Sequence, residues 1–208
     1  MIIKKNAIDF DKISDLIKEG SIFCYPTDTL YGLGCRYDNK TSIEKIISLK
    51  GREKNHFFTL LFKDSKMLNN FFSISELEKN IINKFLPGKL SILLTPKDKN
   101  MFYNNFIGLD DKVSCRISSD SFTKEIYNKI DFPIVSTSAN ISGNENLFNI
   151  SDIINTFEKS LDFIVDYGDI GYSRGSTILN VNKDSLNLIR DGDIQFETIT
   201  KELDYGNN

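Results

Sequence analysis

Pro133-Ile134-Val135-Ser136-Thr137-Ser138-Ala139-Asn140-Ile141-Ser142-Gly143 begins as an apolar strand and ends in hydroxyls, an amide and a glycine. Ile134 to Thr137 reads as buried, and loops that follow buried strands are where α/β folds place ligands. Ser136, Ser138 and Asn140 supply neutral donors and acceptors, suited to phosphate oxygens, a ribose or an amino-acid head group. A serine nucleophile would need a base within reach, and no G-x-S-x-G elbow surrounds these serines, so covalent catalysis is set aside.

Strands and helices alternate on both sides of this stretch. Upstream, strands are expected at Ile2 to Lys4, Ile22 to Tyr25, Phe57 to Phe62, Leu90 to Thr95 and Val113 to Ile117. Phe10, Ile13, Leu16 and Ile17 recur at helical spacing over residues 9–19, with Gly20 as C-cap. Thr41-Ser42-Ile43-Glu44 and Ser75-Glu76-Leu77-Glu78 have the form of capping boxes, opening helices that run to about Leu49 and to just before Pro87. A further helix is expected over 121–130 and another from a Ser151 cap to about Glu158. Strands at Phe163 to Asp166, Thr177 to Val181 and Leu186 to Arg190 complete the pattern. Repeated crossover helices imply an α/β fold with a mixed, partly parallel sheet. Residues 97–111 form the longest irregular stretch, and the tail after about Ile194 has few apolar residues and is expected to fray.

At 208 residues and 40% hydrophobic content, the chain suits one domain over 1–208 with a continuous core. No apolar run is long enough to span a bilayer. The N-terminus lacks the apolar stretch of a signal peptide. Cys24, Cys35 and Cys115 sit in apolar surroundings at no metal-ligand spacing, and read as reduced core residues of a cytoplasmic protein. No metal site is expected from protein ligands. A net charge of −3 gives no global field toward nucleic acid, so an anion site must be built locally. Only five of the 26 basic residues are Arg (Arg36, Arg52, Arg116, Arg174 and Arg190). In a chain where Lys is the default cation, Arg marks places that need a planar bidentate fork.

Three other segments carry polar chemistry. Tyr25-Pro26-Thr27-Asp28-Thr29-Leu30-Tyr31-Gly32-Leu33-Gly34 follows a buried strand with hydroxyls, a carboxylate and two glycines. Lys50-Gly51-Arg52, followed by Lys54 and His56, sets two cations where one polyphosphate can meet both, although the Walker spacing is absent. Gly171-Tyr172-Ser173-Arg174-Gly175-Ser176-Thr177 enters one strand, and Ile189-Arg190-Asp191-Gly192 leaves another. Taken singly, each is equally an ordinary turn or a solvated basic cluster. His56, the lone histidine, is not assigned as a general base.

Together these segments resemble the YrdC/TsaC family of L-threonylcarbamoyladenylate synthases, in its short bacterial form, from Tyr25 to Gly192. Pro87-Gly88-Lys89-Leu90-Ser91, Gly108-Leu109-Asp110 and Val113-Ser114-Cys115-Arg116 add to the likeness. The resemblance implies a YrdC-like domain with a twisted α/β sheet and flanking helices around a deep, positively lined cleft. It further implies a nucleotidyltransferase that joins L-threonine, bicarbonate and ATP, with Mg²⁺, into threonylcarbamoyl-AMP for tRNA modification. Carried over by position, Thr29, Tyr31, Arg116, Ser136 and Ser176 line the threonine pocket. Lys50, Arg52, His56, Lys112, Ser138, Asn140, Asn146 and Arg190 hold ATP, with Lys50 and Arg52 catalytic. Implied partners are tRNA or double-stranded RNA and the downstream tRNA threonylcarbamoyl-transferase proteins, and no membrane.

The segment after Arg52 departs from that family. Glu53, His56, Phe57 and Phe58 stand where Pro, a Lys or Asn, and Pro-Leu are usual, and Leu61 reads as core. His-Phe-Phe-Thr-Leu-Leu looks like the YciO branch, which lacks the Ser138-x-Asn140 form. A YciO-like RNA-binding or regulatory module is therefore the rival reading. The absence of a basic face or aromatic platform argues against it. A carbamoyl-transfer domain of the hydrogenase-maturation type is weakened by the lack of acylphosphatase-like or zinc-finger modules.

Overall fold

The computed structural model describes residues 1–51, 57–183 and 185–203. Eleven strands and seven α-helices alternate among them. In chain order they are β1 (Ile2–Lys4), α1 (Phe10–Lys18), β2 (Phe23–Tyr25), β3 (Gly32–Gly34), α2 (Lys40–Lys50), β4 (Thr59–Leu61), α3 (Ser65–Phe71), β5 (Phe72–Ser73) and α4 (Glu76–Phe85). There follow β6 (Leu90–Pro96), β7 (Val113–Arg116), α5 (Ser121–Ile126), β8 (Ile134–Ser138), α6 (Ile150–Phe157), β9 (Phe163–Asp166), β10 (Thr177–Asn182), β11 (Ser185–Arg190) and α7 (Phe196–Glu202). The sheet order is β1-β9-β2-β3-β8-β4-β7-β6-β10-β11, with β5 pairing β6 off this path. The β1–β9, β2–β9, β4–β7 and β6–β10 pairs are parallel and the others antiparallel, as the crossover helices imply.

The core is one cluster of buried residues that runs from Ile13 to Ile199. Phe62, Phe71, Phe72 and Phe102 pack ring against ring at 5.5–6.3 Å between centroids. Such contacts fix the α3–β5 corner against β6. All three cysteines are free and buried, and burial holds each thiol well above its ordinary pKa. They are packing residues, as their apolar surroundings suggested. No helix among the described residues is long and apolar enough to cross a membrane.

Several local expectations change. The Thr41–Glu44 box does not form: Asn39 caps α2 by accepting from Ser42 N, because an Asn two residues earlier already offers its amide oxygen at the right register. Ser151 likewise gives way, since α6 starts at Ile150 with its N–H bonded to Asp169 Oδ1 at 2.9 Å, a cap supplied from far along the chain. The helix expected over 121–130 ends at Ile126, and the strand expected over 57–62 contracts to 59–61. Of the tail after Ile194, the described residues through Leu203 include α7, anchored by buried Ile199. Within 97–111, short 3₁₀ turns occupy Lys99–Met101 and Leu109–Asp111.

The capping box at Ser75 forms as expected, and Glu78 has a second task. Its other carboxylate oxygen lies 3.7 Å from the buried Lys112 ammonium. Replacing Glu78 with Ala therefore removes a cap and strands a buried cation, a loss of about 3 kcal/mol. Urea unfolding of the variant measures this, and a loss under about 1 kcal/mol would show that the pair is solvated.

Candidate functional site

The segment between β2 and β3 is held over the sheet by one guanidinium. Arg116, at the end of β7 and nearly fully buried, donates from Nε to Gly88 O at 3.1 Å and from Nη1 to Thr29 Oγ1 at 2.9 Å. Its Nη2 pairs with Asp28. Asp28 also accepts from the Ser118 hydroxyl, the Ser119 hydroxyl and the Ser119 N–H. Burial alone would push the Asp28 carboxyl up. The Arg116 charge and the bonds from Ser119 and Ser118 outweigh that, and the net shift is downward.

Beneath this clasp lies a cavity of about 310 Å³ across one face of the sheet, at the lower end of the roughly 300–1,000 Å³ typical of small-molecule sites. Thr29 and Tyr31 line it from the β2–β3 segment, Ser136 and Ser138 from β8, Ser176 from just ahead of β10 and Arg190 from the end of β11. Asn146 and Lys112 complete the sequence-predicted residues on its walls. Lys112, Arg116, Arg174 and Arg190 line the cavity, and no carboxylate does so among the described residues. Arg174 is neutralised by Asp191 at 2.6 Å. Arg190 has no ion-pair partner among the described residues. It donates to Ser176 O at 2.7 Å and Ser176 Oγ at 3.1 Å, and its pKa is drawn down by burial and then by the Arg116 charge. A guanidinium stays protonated under such a shift. Among the described lining cations, Arg190 is thus the one with no carboxylate within ion-pair distance.

Two predicted ATP residues lie elsewhere. Lys50 is buried behind the cavity wall, and its ammonium donates to Ser138 O at 2.5 Å, Asn140 O at 2.8 Å and Asn140 Oδ1 at 3.0 Å. Asn140 also accepts from Ser138 Oγ at 2.7 Å and donates to Asn144 O at 2.7 Å. The pair grips the end of β8 and fixes the Ser138 hydroxyl, which does line the cavity. Lys112 is similarly engaged, with Asn180 Oδ1 at 3.0 Å and Val181 O as acceptors. Arg52 and His56 lie outside the described residues.

Sequence reasoning did not single out Thr59 and Ser114, whose hydroxyls meet at 2.9 Å on the cavity floor, nor the apolar rim of Phe57, Leu109 and Ile189. Strand alternation is the signal that finds the hydroxyls: Ser114 and Arg116 are two apart on β7 and must share a face.

The fold and site define an α/β protein whose mixed sheet carries a cavity lined by Arg116, Arg174 and Arg190, with no carboxylate among the described lining residues. A family model described as Telomere recombination, for the Sua5/YciO/YrdC domain, matches residues 15–192. The chain belongs to this family. A putative threonylcarbamoyl-AMP synthase of Methanocaldococcus jannaschii is 30% identical over 200 residues, covering 95% of this chain and 91% of the relative. The threonylcarbamoyl-AMP synthase of Wigglesworthia glossinidia brevipalpis is 33% identical over 172 residues, covering 81% and 87%. Among solved structures, P. abyssi Sua5 complexed with L-threonine has a TM-score of 0.87 at 22% identity, and E. coli YciO has 0.84 at 20%. These cover 97% and 96% of this chain, and bear out the twisted mixed sheet with flanking helices. The chain spans 59% of the Sua5 chain and 98% of the YciO chain.

A carboxylate with a depressed folded pKa adds stability that is fully present above its unfolded value, about 3.9, and is lost as pH falls through the lower folded value. Asp28→Asn should thus lose about 3 kcal/mol at neutral pH, and it should shed part of the wild-type loss of stability below about pH 4. Denaturant melts across that window test both, and an unchanged acid limb would contradict the clasp.

Proposed function

We propose that the chain is a threonylcarbamoyl-AMP synthase, joining L-threonine, bicarbonate and ATP and releasing pyrophosphate. The observation that carries this reading is the pairing of two differently built anion contacts in one cavity. Arg116 is locked in place by Thr29 and Asp28, and Arg190, with no ion-pair partner among the described residues, is held by Ser176. The named relatives support the reaction. The amino acid takes the Thr29, Tyr31, Arg116, Ser136 and Ser176 end, and the nucleotide takes Arg190, Ser138, Asn146 and Lys112. Lys50 and Asn140 serve as positioning residues that hold Ser138, and Arg52 and His56 are assigned to the phosphates from the sequence alone.

The carbamate formed from threonine and bicarbonate is already an anionic nucleophile, so its carboxylate attacks the α-phosphorus without an activated Ser or Cys. The protein's work is alignment and neutralisation of charge. With no carboxylate lining the cavity among the described residues, Mg²⁺ travels with the nucleotide phosphates as part of the substrate. The 208 residues act as one cytoplasmic YrdC-like unit. Its product passes to tRNA threonylcarbamoyl-transferase proteins, with contact to tRNA or double-stranded RNA at that hand-off.

Pyrophosphate release with each substrate omitted in turn tests the reading. Turnover should require threonine and bicarbonate together with ATP, and Arg190→Ala or Arg52→Ala should lose on the order of 10²-fold in rate. RNA retention without any turnover would support a regulatory module instead.

A further inference from the structure

The synthase reading leaves one substrate, bicarbonate, without named contacts, and the cavity floor supplies them. We propose that the Thr59–Ser114 hydroxyl pair is the bicarbonate subsite; this rests on the proposed function. In the sheet register Ser136 lies opposite Thr59, Thr59 opposite Ser114, and Ser114 opposite Leu93. Neighbouring strands stand about 4.8 Å apart, so three hydroxyl-bearing residues form a short row before the surface turns apolar. All of them line the cavity.

The row has more hydrogen-bonding capacity than the protein uses. Thr59 Oγ1 and Ser114 Oγ share one bond at 2.9 Å; one hydroxyl donates to the other, and the second proton and the remaining lone pairs stay available. Beside the row, Tyr25 is fully buried, and Ser136 is the hydroxyl-bearing side chain that faces its phenol. The Tyr25 ring end and Ser136 Oγ converge on bare Gly32, at 3.3 and 3.5 Å from where a Cβ would stand.

The chemistry selects the occupant. Bicarbonate carries both an O–H donor and oxygen acceptors, which a pair of hydroxyls can match in either sense. A triphosphate offers acceptors and calls for charged N–H donors, which Arg190 provides beside Ser176. Ser114 and Arg116 face the same way on β7, about 7 Å apart along the strand. That separation suits an α-amino acid whose carboxylate is on Arg116 and whose amine points to the carbon held at Ser114. The N–C bond forms and a C–OH bond breaks. The departing hydroxide takes one amine proton and leaves as water, and the carbamate keeps the single negative charge.

The test is kinetic and uses the full chain in CO₂-depleted buffer with bicarbonate titrated back. Thr59→Val and Ser114→Ala should each raise the KM for bicarbonate about tenfold, leave the KM for threonine and ATP within about twofold, and Thr59→Ser should restore the wild-type value. Thermal melts identify any variant that fails to fold, and either single variant carries the test alone. An unshifted bicarbonate KM, or a rise in the ATP KM instead, overturns the subsite while leaving wild-type turnover and the synthase reading intact. Wild-type protein that releases no pyrophosphate overturns both together.

Discussion

A guanidinium taken out of water costs several kcal/mol unless each of its faces finds a partner. Arg116 meets that condition only when two other pieces of chain arrive together. These are Gly88 ahead of β6, and Thr29 with Asp28 beside it between β2 and β3. Asp28 has the same requirement and draws in Ser118 and Ser119. Moving any of these segments strands a buried charge. The position of the segment from Pro26 to Tyr31 over the sheet, and with it the roof of the cavity, follows from satisfying this one ion.

Lys50 repeats the logic one layer back. It closes α2, and its ammonium reaches two carbonyls and an amide oxygen at the end of β8. The end of a helix is thereby tied to a strand terminus that would otherwise expose unpaired carbonyls. Asn140 is pinned by Lys50 on one side and Asn144 on the other, leaving its oxygen to orient Ser138.

Much of this was legible in the chain. The scarcity of Arg was the best guide, since Arg116, Arg174 and Arg190 do line one cavity. Arg36 is the exception: it pairs with Asp38 at 2.5 Å and lies over Phe132, a surface arrangement that composition cannot separate from a binding one. The contacts of Lys50 with the end of β8 were equally closed to sequence reasoning, because a lysine that grips a strand end and one that meets a ligand need the same residue beside the same strand. β3 was read as a glycine turn. It is a strand because only Gly34 allows the Tyr25 ring and the Val135 carbonyl to approach, both within 3.0 Å of a would-be Cβ. Thr59 and Ser114 were hidden for another reason. Each sits in a strand where a small β-forming residue needs no explanation, and only pairing register reveals that they meet.

The charge pattern also explains how a chain with net charge −3 is compatible with the proposed anion site. Distant carboxylates are screened within about 10 Å at ordinary ionic strength, so only the local arrangement counts. Arg116 has its own carboxylate and contributes little net charge, but it raises the cost of holding Arg190 beside it. That cost is relieved when an anion enters, because opposite charge offsets both the burial and the mutual repulsion. Phe57, Leu109 and Ile189 border the same opening with apolar surface. Displacing water there lowers the effective dielectric, so each hydrogen bond from the arginines and hydroxyls gains strength once the opening is covered. Neutral hydroxyls on the floor fit this scheme where carboxylates would not. They can orient an anion without competing with it for the guanidiniums.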